Sequence, residues 1–100
     1  RPTALFCAND IQALGALFAC QRLGFVVPRD VSIIGFDDLP MTRMANPPLA
    51  TVHVPAQEMG EAAAEALVRA ADMGESIQSR ALEARVIARD SIAAPPDGKA

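Results

Sequence analysis

The sequence predicts an α/β chain in which a parallel sheet is flanked by helices. Three observations carry this. Short apolar or β-branched runs alternate with longer stretches of helical composition. The first run, the helix after it and the second run all fit between Thr3 and Phe36, the span of a strand–helix–strand unit whose strands pair in parallel through a right-handed crossover. Both helical stretches end at a glycine, Gly24 and Gly74, where a left-handed residue stops a helix.

In order, Thr3–Cys7 reads as a short strand buried on both faces. Asn9 and Asp10 follow as helix-capping residues, and Ile11–Leu23 is the first helix, with Pro28 confirming that it is over. Val31–Phe36 is the second strand. Residues 37–50 form an irregular stretch with three prolines, Pro40, Pro47 and Pro48; a connection this long is usually functional or lines an interface. Thr51–Val54 is a third strand, ended by Pro55. The second helix, Ala56–Met73, shows an apolar stripe of Met59, Ala63, Ala66, Leu67, Ala70 and Met73, with Glu58 and Glu61 near its positive end and a Glu65–Arg69 pair one turn apart. Ala81–Arg89 alternates, Leu82, Ala84, Val86 and Ala88 on one face and Glu83, Arg85, Ile87 and Arg89 on the other, as an edge strand with one wet face. Residues 94–100 read as a disordered tail, which leaves residues 1–93 as the folded part.

A chain of 100 residues is one domain or part of one, and 51% hydrophobic residues support a core. The net charge is −3 and the nine Lys and Arg are scattered, so no basic stripe offers itself to nucleic acid. No apolar run approaches the roughly 20 residues that span a bilayer, and Arg1-Pro2-Thr3 leads straight into a strand without a signal peptide. Cys7 and Cys20 lack metal-ligand spacing and sit among apolar neighbours, as buried free thiols suited to a reducing cytoplasm. No phosphate loop, nucleophile elbow or zinc motif occurs, so the sequence calls for no cofactor, no metal and no enzyme activity.

The first helix is apolar nearly all round, with only Gln12, Gln21 and Arg22 clearly polar. Its outer side therefore needs cover, from another part of the protein or, preferably, from a second subunit. Leu14 and Leu17 lie one turn apart, beside Gly15 and Ala16, which permit close approach. Ligands of open parallel sheets bind beyond the carboxyl ends of the strands. Both ends here carry polar pairs, Asn9-Asp10 and Asp37-Asp38, on strands about 4.8 Å apart if they are neighbours. An amide from Asn9 and a carboxylate from Asp37 would suit the hydroxyls of a sugar or the ring N–H groups of a base. Each has a plainer reading: Asn9 as a cap, Asp10 as a charge at the positive helix end, Asp37 and Asp38 as turn residues, His53 as a satisfied structural histidine. Met41 and Met44 pack an interface or cover the core.

Taken together, several segments resemble the LacI/GalR regulators: Pro2-Thr3-Ala4 with Ala8-Asn9-Asp10 and Ala13-Leu14-Gly15-Ala16; Val27-Pro28-Arg29-Asp30-Val31-Ser32 with Ile34-Gly35-Phe36-Asp37-Asp38; Pro47-Pro48-Leu49-Ala50-Thr51-Val52; and Met59-Gly60. They come in that family's order and spacing across nearly the whole chain, with Ala50 in place of the more usual Thr. The resemblance implies part of a periplasmic-binding-protein-like, Rossmann-like lobe, the carboxyl-terminal part of a sensor whose two lobes close on a small-molecule effector. It implies that Asn9 and Asp37 contact the effector, that Leu14 and the Met41–Ala45 stretch line a homodimer interface, and that Ala56–Met73 packs on the other lobe. Leu17, Met44 and Ala45 join Leu14 and Met41 as the expected interface residues. Operator DNA would be bound only by a helix-turn-helix outside these residues, and no membrane is involved. Two other functions compete: a fragment of a periplasmic sugar-binding protein of a transporter, and an enzyme using Asp37-Asp38 as metal ligands or acid–base groups, for which the single lysine, Lys99 in the tail, is a poor partner.

Overall fold

The structure is a computed structural model and describes residues 1–98. The elements run β1 (Ala4–Phe6), α1 (Asp10–Leu23), β2 (Ser32–Ile34), a 3-10 helix (Pro40–Met44), β3 (Thr51–His53), α2 (Ala56–Met73), β4 (Arg85–Ile87) and a 3-10 turn (Pro96–Gly98). Two units result: Arg1–His53 together with the chain from Arg85 onward, and Val54–Ala84.

In the first unit β1 and β2 pair in parallel, with Ala4, Leu5 and Phe6 opposite Ser32, Ile33 and Ile34. α1 forms the crossover, as the strand–helix–strand pattern requires. Local chemistry sets its ends: the Asn9 side chain accepts from the Gln12 N–H, and Gly24, at φ 85°, takes the left-handed position and donates to the carbonyls of Cys20 and Gln21. β2's other edge is shared. The N–H groups of Ile33, Gly35 and Asp37 donate in turn to the carbonyls of Ser91, Ala50 and Val52, so two distant segments complete one ladder. Buried Ser91 joins them: its hydroxyl donates to the Ile33 carbonyl at 2.6 Å and accepts from the Ala50 N–H at 2.8 Å.

Ala13, Leu17, Val27, Val31, Ile33 and Leu49 form the core between α1 and the sheet. This corrects one expectation: Leu17, assigned to a subunit interface, is fully buried in this core and presents no outer surface. An all-round apolar helix has no polar side to fix its rotation, so the sequence could not say which leucine points inward. The outer side is Ile11, Gly15 and Phe18, with Ile11 57% and Phe18 55% exposed. β1 also departs from expectation. Only one of its faces is covered, and Phe6 lies 71% exposed.

β3 pairs antiparallel with β4, Thr51, Val52 and His53 opposite Ile87, Val86 and Arg85. The strand expected over 81–89 is only Arg85–Ile87, and its covered face is the opposite one: Val86 is exposed, while Ile87 and Arg89 are half-buried. Alternating hydrophobicity ranks valine inside and arginine outside, but the Arg89 guanidinium meets three acceptors, on Asp38, Thr42 and Leu49, that hold it inward. Of the expected tail, 94–100, Pro96–Gly98 make a 3-10 turn, and Lys99 and Ala100 lie outside the described residues; just before it, Ala93 exchanges hydrogen bonds with the Ser32 hydroxyl.

The second unit contains α2, ended by Gly74 at φ 70°, and an irregular stretch up to Ala84. No α2 residue is buried, and Met59, Leu67 and Met73 of the apolar stripe are exposed. Glu65 and Arg69 form the expected pair at 2.8 Å. Among the described residues, no helix is long and apolar enough to cross a membrane.

Candidate functional site

The site grows from the turn after β2. Asp37 has φ 117° and Asp38 φ 58°. A non-glycine residue at the first of these values is held in a region that costs about 1–3 kcal/mol, so the surroundings must enforce it. They do so through three consecutive N–H groups. Asp37 donates to the Val52 carbonyl at 3.0 Å, Asp38 to the Thr51 hydroxyl at 3.2 Å, and Leu39 to Asp10 Oδ2 at 2.7 Å.

Asp10 is thus more than a charge at the helix end. It is fully buried, accepts from Leu39 and from the Thr51 hydroxyl (2.6 Å), and its own N–H donates to the Phe36 carbonyl. One carboxylate ties the start of α1 to the turn and to β3. Gly35 makes room for it: a Cβ there would overlap Asp10 Oδ1 and lie 3.1 Å from the Ala13 Cβ. The glycine is required by space, not by its backbone angles.

Asp38 sits between an arginine and a histidine. Its Oδ1 accepts from Arg89 Nη2 at 3.1 Å and its Oδ2 from His53 Nδ1 at 3.0 Å. The Asp38 and Arg89 side chains are each 15% exposed. Burial pushes the Asp38 carboxyl up, but the hydrogen bonds from His53 and Arg89 outweigh it and hold the group below the usual carboxylate range. Arg89 is also fixed elsewhere, its Nη1 donating to the Thr42 hydroxyl (2.6 Å) and the Leu49 carbonyl (2.8 Å). The 3-10 helix after the turn is therefore fastened to the segment following β4.

Within this network the Asp37 carboxylate stands apart. The residue is exposed, and its side chain takes no protein partner among the described residues. Asn9 lies at the parallel end of β1, since the Cys7 N–H donates to the Ile34 carbonyl and Asp10 to Phe36. Both predicted effector residues thus follow the carboxyl ends of one parallel pair. Asn9 Oδ1 is occupied by the Gln12 N–H at 2.8 Å, and Gln12 Oε1 accepts in return from Ala8; the capping reading of Asn9 is realised, and its Nδ2 remains as a donor. His53 is the satisfied histidine expected, and no three His, Cys, Asp or Glu residues come together as a metal-binding set among the described residues. Sequence reasoning missed Arg89, Thr42, Thr51 and Ser91, whose partners are 41 to 58 positions away or bound through backbone atoms.

Of the other interface residues, Leu14 is half-buried at the edge of the core, Met41 is 42% and Met44 83% exposed, and Ala45 is half-buried. Gln21 Nε2 donates to the Asn46 carbonyl at 2.7 Å, holding this loop beside the α1 face that also contains Leu14. Cys7 and Cys20 are free and half-buried, and burial pushes the Cys7 thiol up.

Residues 1–92 match the family model described as a periplasmic binding protein-like domain. The chain is 41% identical, over 97 residues, to the HTH-type transcriptional repressor PurR of Klebsiella pneumoniae, covering 96% of this chain and 28% of that protein. Among solved structures it is similar to a LacI family transcriptional regulator from Enterococcus faecalis with bound ribose (TM-score 0.84, 31% identity, 93% of this chain and 35% of that one). It is also similar to the dimeric Lac repressor with an 11-residue carboxyl-terminal deletion (TM-score 0.84, 30% identity, 94% and 35%). The chain therefore spans about a third or less of the length of these relatives. An α/β architecture, a parallel pair ending in two polar turns and these matches lead to one assignment: the chain belongs to the periplasmic binding protein-like domain family, as the effector-domain type of LacI-family regulators.

Proposed function

We propose that this chain senses a small-molecule effector, and contributes to dimerisation, within a cytoplasmic LacI-type transcriptional repressor, with no enzymatic role. The observation that carries the reading is the free Asp37 carboxylate on a turn whose three backbone N–H groups are all tied down. Such a group is a ready acceptor for hydroxyl or N–H donors of a ligand, and Asn9 Nδ2 supplies a donor from the neighbouring strand. The ribose bound to the Enterococcus faecalis relative makes a sugar the first class to test.

Leu14, Met41, Met44 and Ala45 would form part of a homodimer interface, with Ile11 and Phe18 extending the exposed apolar face of α1. The α2 stripe would pack on a second lobe, whose residues complete the effector pocket. Operator DNA would be read by a helix-turn-helix outside these residues. An effector acts by binding the two lobe arrangements with different affinity, and shifts operator affinity by no more than that difference.

The test is a thermal-shift screen of the intact regulator against sugars, nucleobases and related metabolites, followed by Asp37→Ala. The variant should lose the effector-dependent change in operator binding and keep operator binding itself. An unchanged effector response would refute the assignment of Asp37.

A further inference from the structure

Asp38 is the most heavily bonded side chain of the turn, although it has no assigned role towards a ligand. Its partners have a topological meaning. His53 is the last residue of β3, from which the chain leaves the first unit, and Arg89 follows β4, by which it returns. The Asp37 N–H is bonded to Val52, one residue before His53. With the Asp38 N–H bonded to the Thr51 hydroxyl, the turn is linked to the exit strand three times and to the return segment once.

We propose that Asp38 is a positioning residue for Asp37: clamped between Arg89 and His53, its ionised carboxylate fixes the neighbouring carboxylate and couples the turn to both connecting strands. This rests on Asp37 being the effector contact. Removing the Asp38 charge leaves residues 37 and 38 held by their backbone bonds to Val52 and Thr51 alone, and leaves the surroundings in place. Arg89 keeps Thr42 and Leu49 as acceptors, and His53, 41% exposed, can be solvated. The Leu39 N–H is held separately by Asp10. The effect is therefore local, confined to residues 37 and 38. The groups facing the Asp38 carboxyl are Arg89 and His53, which favour its ionised form; the neighbouring acids are the adjacent Asp37 and Asp10, the latter bonded to the Thr51 hydroxyl that accepts from the Asp38 backbone N–H.

Hydrogen exchange of individual backbone amides in the full chain, followed by NMR, tests this without any effector. In Asp38→Asn, the Asp37 and Asp38 amides should exchange about 10-fold faster or more relative to intrinsic rates, while those of Leu39 and Ile33 hold. In the unmodified chain the same two amides should lose protection only as acid neutralises Asp38, below the ordinary carboxylate range, with Ile33 still protected. Asp37→Asn should leave all four amides unchanged, so a failure of the effector assignment appears only in the binding screen and not here. Unchanged Asp37 protection in Asp38→Asn would overturn the proposal. So would equal loss at Ile33 or a variant that unfolds, either of which makes Asp38 a general support of the fold; the acid titration of the unmodified chain supplies a second measurement that needs no substitution.

Discussion

Gly35→Ala is the sharpest test of the packing beneath the turn, because its cost depends on one identifiable neighbour. The new Cβ would overlap Asp10 Oδ1 and crowd the Ala13 Cβ at 3.1 Å. Overpacking of this kind costs about 1–3 kcal/mol. Relieving it pushes the Asp10 carboxylate off Leu39 and Thr51, and each hydrogen bond to a charged acceptor is worth about 1.5–3 kcal/mol. A total of about 3–5 kcal/mol follows for Gly35→Ala, since the displaced carboxylate keeps part of one bond. Asp10→Ala loses both bonds outright, at about 3–6 kcal/mol. In the double variant the overlapping oxygen is gone, so the Gly35 substitution should add only about 1 kcal/mol from the Ala13 contact, and the pair should couple by about 3 kcal/mol. Urea denaturation of the full chain measures all three as shifts in midpoint at constant m-value. Costs that add to within about 0.5 kcal/mol would refute the reasoning, because they would mean that Gly35 is not reserved for the Asp10 carboxylate.

Three further outcomes are expected. Ser91→Ala leaves a buried Ala50 N–H without its acceptor and should cost about 1–3 kcal/mol in the same urea assay, more than expected for a hydroxyl that merely fills space. Leu14→Ser and Met44→Ser in the intact regulator should raise the dimer dissociation constant, measured by sedimentation, with the exposed Met44 change leaving the urea midpoint of this chain within about 0.5 kcal/mol of the original. For pH, Asp38 has a folded value below its unfolded value of about 3.9. Its contribution to stability is therefore complete above that value and is lost as pH falls through the lower folded one. The unmodified chain should lose urea resistance on acidification more steeply than Asp38→Asn, and parallel pH profiles of the two would show that Asp38 gains nothing from its partners.

What the sequence made legible was local. Asn9 and Gly24 mark the ends of α1 because a side-chain oxygen three residues before a helical N–H, and a left-handed glycine after the last turn, are local chemistry. The strand–helix–strand unit followed from the same punctuation. The parts that escaped are those set by distant partners. Arg89 reads as a solvent-facing residue in an alternating strand until Asp38, Thr42 and Leu49 are placed beside it, and the inward face of β4 then reverses. Asp10 reads as a favourable charge at a helix end, whereas its bonds to Leu39 and Thr51 span 29 and 41 positions. Leu17 and Leu14 look equivalent on a helix without a polar side, and only the sheet decides which is core. Of the candidate site, the shared placement of Asn9 and Asp37 at the carboxyl ends of two paired strands was legible; the bonds that fix the turn carrying Asp37 were not.

Those bonds bear on the proposal that the Asp37 carboxylate binds an effector. A free aspartate in a mobile loop spends much of its interaction with a ligand on becoming ordered, since immobilising a side chain and its loop opposes binding. At Asp37 the backbone is already fixed by Val52, its neighbour by Thr51, and the next residue by Asp10. The strained angle at φ 117° is held by contacts that exist before any ligand arrives. What remains on binding is chiefly the replacement of water at one carboxylate by donors of matching geometry. A ligand that meets Asp37 also meets a turn joined to β3 and to the segment after β4, so a displacement of the carboxylate cannot be absorbed by the turn alone. If Asp37 binds the effector as proposed, the bonds that order it are also those that join it to β3 and to the segment after β4.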